Sequence, residues 1–213
     1  MTRKKRSVVL SFTTMMLCLA LVVGGSYALF SDQVALTTHL KAGTLDITLE
    51  RTKLVTRSLD RSTGYLTNTE SDEVVDFSRP NSRNVFDIES TDKIVPGCSY
   101  TATMKITNST DVAFAYWVQV INRVTGEVMP ELAEQLRVSV ITKDGRVLEG
   151  KVSEGLQVGS ATEPINVMAI GDAESFDVKL EFLDLANNNL AKNQSLNFDI
   201  VVHAVQVTDA PQP

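Results

Sequence analysis

The stretch SYTATMKIT, residues 99–107, indicates the fold class of this 213-residue chain. Apolar residues at its even-numbered positions alternate strictly with serine, threonine and lysine. Because successive side chains of a β-strand point to opposite faces, the pattern predicts a strand with one face in the core and one in water. Residues 176–182, FDVKLEF, repeat the pattern, so a second half-buried strand of the same kind is predicted.

Further strand-like segments, separated by turn residues, lie on both sides of this stretch. Residues 112–121 are apolar on both faces and are expected to form a hairpin with residues 99–107. The Asp-Gly turn at residues 143–146 predicts a second hairpin, and Pro130, followed by acidic residues, predicts a short helix at 130–136. The other predicted strands are residues 33–40, 44–50, 137–142, 164–170 and 196–207.

About eight to ten short strands with one helix predict an all-β fold, an antiparallel jelly-roll-like β-sandwich. Residues 51–93 interrupt the strand pattern, because they are rich in Ser, Thr, Asp, Asn and Arg and carry only short apolar patches. We expect them to form a large polar surface excursion, with a hairpin as an option. Residues 94–207 are expected to form the remainder of the sandwich, and residues 208–213 a flexible tail.

The first 28 residues have the pattern of a cleavable secretory signal peptide. Four basic residues at positions 3–6 precede an uncharged run to Val23, and the small residues Ser26 and Ala28 occupy the positions three and one before the expected cut. Leu29 would then be the new N-terminus. An uncleaved anchor is the alternative, since an apolar run of about 17 residues lies at the lower limit for crossing a bilayer.

The segment after the cut, residues 29–50, contains two strand-like runs whose apolar faces are out of phase. The second run has its apolar residues at odd positions from 45 to 49, so one residue of slack must lie between the two runs. Gly43 suits that place as a hinge or bulge. The first run is the candidate donor strand, with its apolar-leaning face at even positions: Val34, Leu36, Thr38 and Leu40.

Charge and length bound the class of protein. Removal of the signal leaves 185 residues, a length that suits one domain, with 16 Lys and Arg against 26 Asp and Glu, a formal charge of about −10. Such an acidic chain is not expected to bind nucleic acid or anionic lipid. Membrane contact is expected for the precursor alone.

Chemistry-bearing residues are sparse. The histidines are His39 and His203, and the chain has no H-E-x-x-H, G-x-S-x-G, phosphate-loop or paired-cysteine zinc pattern. No catalytic residue, metal ligand or cofactor is therefore predicted. Cys98 is the lone cysteine of the exported chain, and it is either a buried thiol, the favoured interpretation, or a candidate intermolecular thiol.

Two further patterns have more than one interpretation. Trp117 is the only tryptophan and is predicted for the core, with stacking on a ligand as the alternative. Asn108-Ser109-Thr110 fits a glycosylation sequon, but a plain turn is preferred.

Two boxes at the start of the chain resemble the TasA/camelysin family of exported proteins of Gram-positive bacteria. The first box is GGSYALFSD at residues 24–32, and the second is AGTLDI at residues 42–47. Val95-Pro96-Gly97 is similar to the turn that precedes an alternating strand in the family, although Cys98 replaces its usual Asp. The closing strand around His203 is similar to the family's last strand, whereas residues 52–93 are not covered.

The resemblance implies a secreted structural protein of the extracellular biofilm matrix or cell surface, with a jelly-roll fold. From the absence of catalytic patterns we expect that it is not an enzyme. It implies cleavage by a SipW-type signal peptidase and assembly into fibres, in which the N-terminal strand of one subunit completes the sheet of the next. The expected partners are further copies of the same chain and the peptidase, with an anchoring or accessory matrix protein as another candidate. Two alternatives stay open: a camelysin-like surface metalloprotease and a monomeric surface adhesin.

Overall fold

The computed structural model describes residues 36–42, 47–60, 62–78, 83–88, 94–123, 130–192 and 194–207, with the backbone only for residues 36–42. These residues form twelve strands, one short α-helix and one 3₁₀ helix. The strands of the N-terminal half are β1 (Leu36–Ala42), β2 (Ile47–Leu59), β3 (Leu66–Ser71), β4 (Val75–Asp76), β5 (Ser99–Asn108) and β6 (Phe114–Asn122). The C-terminal half contains α1 (Glu131–Gln135), β7 (Leu136–Ile141), β8 (Val147–Lys151), β9 (Leu156–Val158), β10 (Asn166–Met168), β11 (Ala173–Phe182), the 3₁₀ helix Asn188–Ala191 and β12 (Leu196–Gln206).

The strands form two sheets, and this confirms the all-β sandwich. The five-stranded sheet has the order β1-β12-β6-β10, with β9 also paired to β6, and the seven-stranded sheet has the order β3-β2-β5-β11-β7-β8, with β4 also paired to β2. Buried residues of both sheets belong to one hydrophobic cluster. Among the described strands, β1 and β12 alone pair in parallel.

The alternating apolar residues of β5 and β11 face the core, as the sequence predicted. The apolar positions of β5 are at most 6% exposed, and those of β11 are at most 5% exposed. The two strands are antiparallel neighbours, with Met104 opposite Phe176 and Ala102 opposite Val178. Removing each such large apolar side chain from water contributes about 1.5–3 kcal/mol, so this central pair anchors the sandwich.

The predicted hairpin of residues 99–107 and 112–121 is wrong, because β5 and β6 belong to different sheets. The buried side chain of Asn108 explains the crossing. Its Nδ2 donates hydrogen bonds to the carbonyl oxygens of Val112 at 2.9 Å, Met168 at 3.2 Å and Ala169 at 3.0 Å, and its Oδ1 accepts from the backbone N–H of Thr110 at 3.0 Å. The amide thus fixes a corner between the sheets, and the turn interpretation of this sequon-like triplet agrees with its burial.

Two local predictions in the C-terminal half are confirmed. β7 and β8 form an antiparallel hairpin in which Ile141 lies opposite Val147, and its turn contains Gly145 at a positive φ of 81°. The short helix occupies Glu131–Gln135 directly after Pro130. A residue distant in sequence caps its first turn: the backbone N–H of Leu132 donates a hydrogen bond to Oε1 of Gln194 at 2.9 Å.

The expected surface excursion of residues 51–93 is corrected in two respects. β2 continues to Leu59 and pairs with β5 as far as Arg57, so the first part of the segment is a strand of the sandwich. The apolar patches that the sequence scatters through the rest are in the core, all at most 7% exposed: Val75, Phe77, Val85, Phe86 and Ile88. They had looked too scattered for a core of their own, and they join the main one instead, with the Phe86 and Tyr100 rings 6.3 Å apart.

Trp117 is not a core residue. It is half-buried on the face of β6 that points away from the sandwich interior, where its indole stacks on the ring of His203 with centroids 4.9 Å apart. Tyr116, the neighbouring residue, takes the inward position and is fully buried. The prediction failed because both faces of this strand are rich in apolar residues, and the alternation therefore does not identify the core face.

Candidate functional site at the β1–β12 edge

β1 forms the edge of the five-stranded sheet and is paired with one other strand, β12, in the part of the chain that the structure describes. The parallel register runs from Leu36 opposite Leu196 to Ala42 opposite Val202. The N-terminal strand of the domain thus lies beside its C-terminal strand over seven residues. Three of the four predicted donor-strand positions, Leu36, Thr38 and Leu40, fall in β1.

The register matches the predicted apolar face of β1 to the core-facing positions of β12. Even-numbered residues of β1 lie opposite even-numbered residues of β12. In β12 these positions point into the core and are at most 1% exposed: Leu196, Phe198, Ile200 and Val202. A shift by one residue would break this match, since successive positions of a strand face opposite sides.

β12 has two hydrogen-bonding edges, and β1 pairs with one of them. On its other side it pairs antiparallel with β6 from Phe198 opposite Asn122 to Gln206 opposite Phe114. Without β1, the outer N–H and C=O groups of residues 196–202 would have no strand partner, and an unpaired edge of this kind accepts a strand from another chain. The edge of β12 is therefore a strand-binding site that β1 of the same chain fills.

Polar contacts flank this edge on the outward face of the sheet. Asp199, which is 4% exposed, accepts a hydrogen bond from Nε of Arg123 at 2.5 Å. His203 Nε2 lies 3.0 Å from Oε1 of Gln119, in addition to its stack on Trp117. These contacts tie β12 to β6 and to the residue that follows β6, so β12 is held in place independently of β1.

The link from β1 to β2 is short. Ala42 ends β1 and Ile47 begins β2, and five Cα-to-Cα steps span at most about 18 Å. β1 is an edge strand of one sheet, and β2, with β3 and β4 beyond it, borders the other sheet. The two edges therefore lie on the same side of the sandwich, whereas the chain between β8 and β9 connects the sheets on the opposite side.

Several predicted site residues lie outside the described residues. These are the cleavage-site residues Ser26, Ala28 and Leu29, the donor-strand residue Val34 and the proposed hinge Gly43. A bulge is present further along, where the register of β2 against β5 shifts between Arg51 and Lys53. The sequence analysis did not predict this shift, which is separate from the phase change predicted at Gly43.

Cys98 is free and fully buried. Burial raises the pKa of its thiol, which lowers the thiolate fraction and therefore the reactivity. This environment agrees with the buried-thiol interpretation. A bridge from Cys98 to another subunit would require the turn at residues 95–98 to open.

The described side chains do not assemble a metal centre. Within those ranges no group of three or more His, Cys, Asp and Glu side chains is close enough to hold a metal ion, and the ring of His203 is engaged by Trp117 and Gln119. These residues do not fit the ligand set of a catalytic zinc, which takes three protein ligands and an open position. Nor does any helix among the described residues have the length and apolar character needed to cross a bilayer.

Sequence reasoning missed a cluster of charged residues on β2 and the segments bonded to it. Arg51 is fully buried on β2, and its guanidinium donates to the Val85 carbonyl at 2.9 Å and to Asp87 Oδ2 at 2.5 Å. Arg83 pairs with both Asp87 and Glu73. A signal for it was present, since position 51 continues the odd-numbered, core-facing phase of 45, 47 and 49, and an arginine at such a position needs a buried partner.

The fold and this edge together define a class: a two-sheet β-sandwich whose first strand is added in parallel to its last. Residues 3–59 of the chain match the family model described as camelysin metallo-endopeptidase. The match covers the two N-terminal boxes, β1 and β2, and it confirms over that stretch the resemblance to the TasA/camelysin family. No curated protein and no solved structure matches the chain.

Proposed function

We propose that the protein is a secreted structural subunit of an extracellular matrix of the biofilm type, and that mature subunits polymerise by exchanging β1. The observation that carries the proposal is the parallel pairing of β1 with the edge of β12. The family match over residues 3–59 and the signal-peptide pattern support it. The protein acts outside the cell or at its surface, as a partner for copies of itself.

In the monomer the site on β12 is occupied by the chain's own β1. When β1 leaves, the same seven-residue register is available to β1 of another subunit, so exchange replaces each lost contact by an equivalent one. Exchange of identical elements between protomers costs little at equilibrium, and its extent depends on protein concentration. If each subunit donates β1 to the next one and the series does not close into a ring, the subunits form a filament.

Removal of the signal gates this exchange. In the precursor, residues 1–28 precede the strand and hold the chain's start at the membrane during export, so β1 cannot move freely to a neighbour. Cleavage after Ala28 by a SipW-type peptidase leaves seven residues, 29–35, before β1. The mature chain then begins close to β1 in sequence, and an accessory protein that offers a similar edge could anchor the fibre.

The first test compares two versions of the mature protein. The version that starts at Leu29 should form filaments visible by electron microscopy and recovered by sedimentation, whereas the version that starts at Lys41 should not. A peptide of residues 29–42 added to the shortened version should bind to it, because the peptide fills the edge of β12. Equal polymerisation of the two versions would remove strand exchange as the mechanism.

A disulfide provides the matched control, because it keeps the sequence of β1 intact. Lys41 and Val201 are register partners, and neighbouring strands bring Cα atoms within the range that a disulfide spans. In a Cys98→Ala background, Lys41→Cys with Val201→Cys should stay monomeric when oxidised and polymerise after reduction. The single Lys41→Cys variant should polymerise under both conditions.

A metallo-endopeptidase is the second candidate, because the matching family model carries that description. The described side chains do not supply a ligand set for it, so we derive no catalytic step. The discriminating measurement is hydrolysis of casein by the purified mature protein, with and without a chelator. Activity that copurifies with the protein through successive columns and is lost with the chelator would favour this candidate over the matrix subunit.

A further inference from the structure

A glutamate occupies a core-facing position at the end of the sandwich where β11 begins. Glu174 is the second residue of β11, on the inward face that continues with Phe176 and Val178. The alternation of this strand calls for an apolar residue there, yet the Glu174 side chain is only 4% exposed. A buried carboxylate is costly unless its oxygen atoms have partners, so the groups around those oxygens define what the position does.

The partners of the Glu174 carboxylate come from the opposite sheet. Its Oε1 accepts a hydrogen bond from the hydroxyl of Tyr116 at 2.7 Å, and its Oε2 accepts one from Nδ2 of Asn166. Tyr116 of β6 and Asn166 of β10 are register partners in the five-stranded sheet, whereas β11 belongs to the seven-stranded sheet. The carboxylate therefore bridges the two sheets.

A lysine reaches the same carboxylate oxygen from the β7–β8 turn. Nζ of Lys143 lies 3.8 Å from Oε2 of Glu174, the oxygen that accepts from Asn166. The amine of Lys143 and the side-chain amide of Asn166 thus meet at one atom of a buried acid. A plain surface ion pair requires neither the burial of the acid nor the amide beside it, so the arrangement as a whole calls for another explanation.

The inner side of this site is apolar and its outer side is open to water. The rings of Tyr116 and Phe176 are 6.2 Å apart, and both residues are at most 2% exposed. Burial raises the pKa of the Tyr116 hydroxyl, so this group stays a hydrogen-bond donor to Glu174. Apolar surroundings favour a neutral acid and a neutral amine over the corresponding ions. Lys143, whose side chain is 71% exposed, has room to turn its amine toward the amide.

We propose that Lys143 and Asn166 condense to an intramolecular isopeptide bond, with Glu174 as the proton carrier. Glu174 takes a proton from the Lys143 ammonium, and the neutral amine attacks Cγ of Asn166 to form the new C–N bond. Glu174 then gives its proton to Nδ2, the Cγ–Nδ2 bond breaks and ammonia leaves. The extra proton on the new amide nitrogen passes through Glu174 to the ammonia, which departs as ammonium.

This reaction exchanges one amide for another and consumes no oxidant, reductant or other co-reactant. The product joins the β7–β8 turn of one sheet to β10 of the other, so the two sheets become covalently linked. Such a link closes a loop in the unfolded chain and thereby stabilises the folded one. The inference goes beyond the proposed function and stands without it, because its residues all lie between positions 116 and 174 and do not involve the exchange of β1.

The intact mass of the purified protein tests the proposal. The protein should be lighter than its sequence by one ammonia, and a protease digest should contain a branched peptide in which Lys143 is joined to Asn166. Glu174→Gln keeps a side chain of the same shape but cannot carry the proton, so this variant should retain its full mass. Lys143→Arg should do the same, because it lacks the attacking amine.

Lys151→Arg is the matched control, since it alters a lysine of the same β7–β8 hairpin that pairs with Glu134 instead. This variant should lose ammonia as the wild type does. The full-mass variants should melt roughly 10 °C below the wild type in circular dichroism, the shift expected when a cross-link that closes a loop of this size is lost.

Two results would overturn the isopeptide bond. The first is a wild-type protein with the full mass of its sequence, a measurement that needs no variant and therefore does not depend on whether a variant folds. The second is an ammonia loss that persists in Lys143→Arg or that comes without the branched peptide, because cyclisation of an asparagine on its own backbone gives the same change in mass.

Discussion

β1 and the turn at residues 83–88, which we call the latch, are held in the sandwich by different interactions. β1 is held by a backbone ladder to β12, and the core-facing positions opposite it on that strand are apolar. The latch is held by the side chains of Arg51 and Arg83 and by three apolar residues of its own. A backbone ladder can be reproduced by any copy of the same strand, whereas the latch fits the one arginine that lies beneath it. The backbone ladder suits exchange between subunits, and the side-chain attachment suits a fixed contact within one subunit.

Arg51→Ala should have the largest effect on this comparison. The change empties a buried site and removes the hydrogen bonds that Arg51 makes to the Val85 carbonyl and to Asp87, so we expect a loss of about 3–5 kcal/mol in the free energy of unfolding. Arg51→Met removes the same charge and hydrogen bonds but fills much of the buried site, so it should cost clearly less than Arg51→Ala by the share that packing contributes. Urea unfolding followed by circular dichroism measures both. Equal losses would mean that the ion pair and hydrogen bonds of Arg51, and not its packing, fasten the latch.

The sequence predicted the β1 side of this comparison better than the latch side, and the reason is physical. Alternation is a local property of a strand, so β5, β11 and β12 could be predicted from it, and so could a strand at the position of β1. The partner of each strand is not local. The prediction of a hairpin between residues 99–107 and 112–121 failed because the Asn108 amide binds carbonyls at residues 168 and 169, which are distant in sequence.

The latch was missed for a related reason. Its apolar residues do not alternate, because they belong to a turn and not to a strand, and its fastening depends on Arg51, 36 residues before Asp87. The apolar character of residues 85, 86 and 88 predicted an apolar patch, but it did not predict which part of the core the patch packs against. The odd phase of β2 offered the one usable hint, since it puts an arginine at a position where the pattern calls for an apolar side chain.

Ile200→Val should have a smaller effect on the β12 side. Ile200 is fully buried and lies opposite Leu40 of β1, and loss of one methylene group in such a site costs about 0.5–1.5 kcal/mol. Because the substitution leaves the backbone ladder intact, hydrogen exchange of β1 should rise no more than that of β6. A selective rise at β1 would show that side-chain packing contributes to the edge as much as the ladder does, and the contrast with the latch would weaken.

Acid should loosen the latch and leave the β1 ladder intact, and this is the smallest effect we expect. The hydrogen bonds from Arg83 hold the pKa of Glu73 below its ordinary value, so the attraction between them is present above the unfolded pKa, roughly 4.3, and is lost as pH falls through the lower folded value. Latch amides should therefore lose protection below about pH 4 relative to the Glu73→Gln variant, after correction for the intrinsic exchange rate at each pH. Because Glu73 is exposed, the pair is screened and the change should also shrink with added salt. If wild type and Glu73→Gln lose protection in parallel, Glu73 is not part of the fastening, and Asp87 with Arg51 carries it alone.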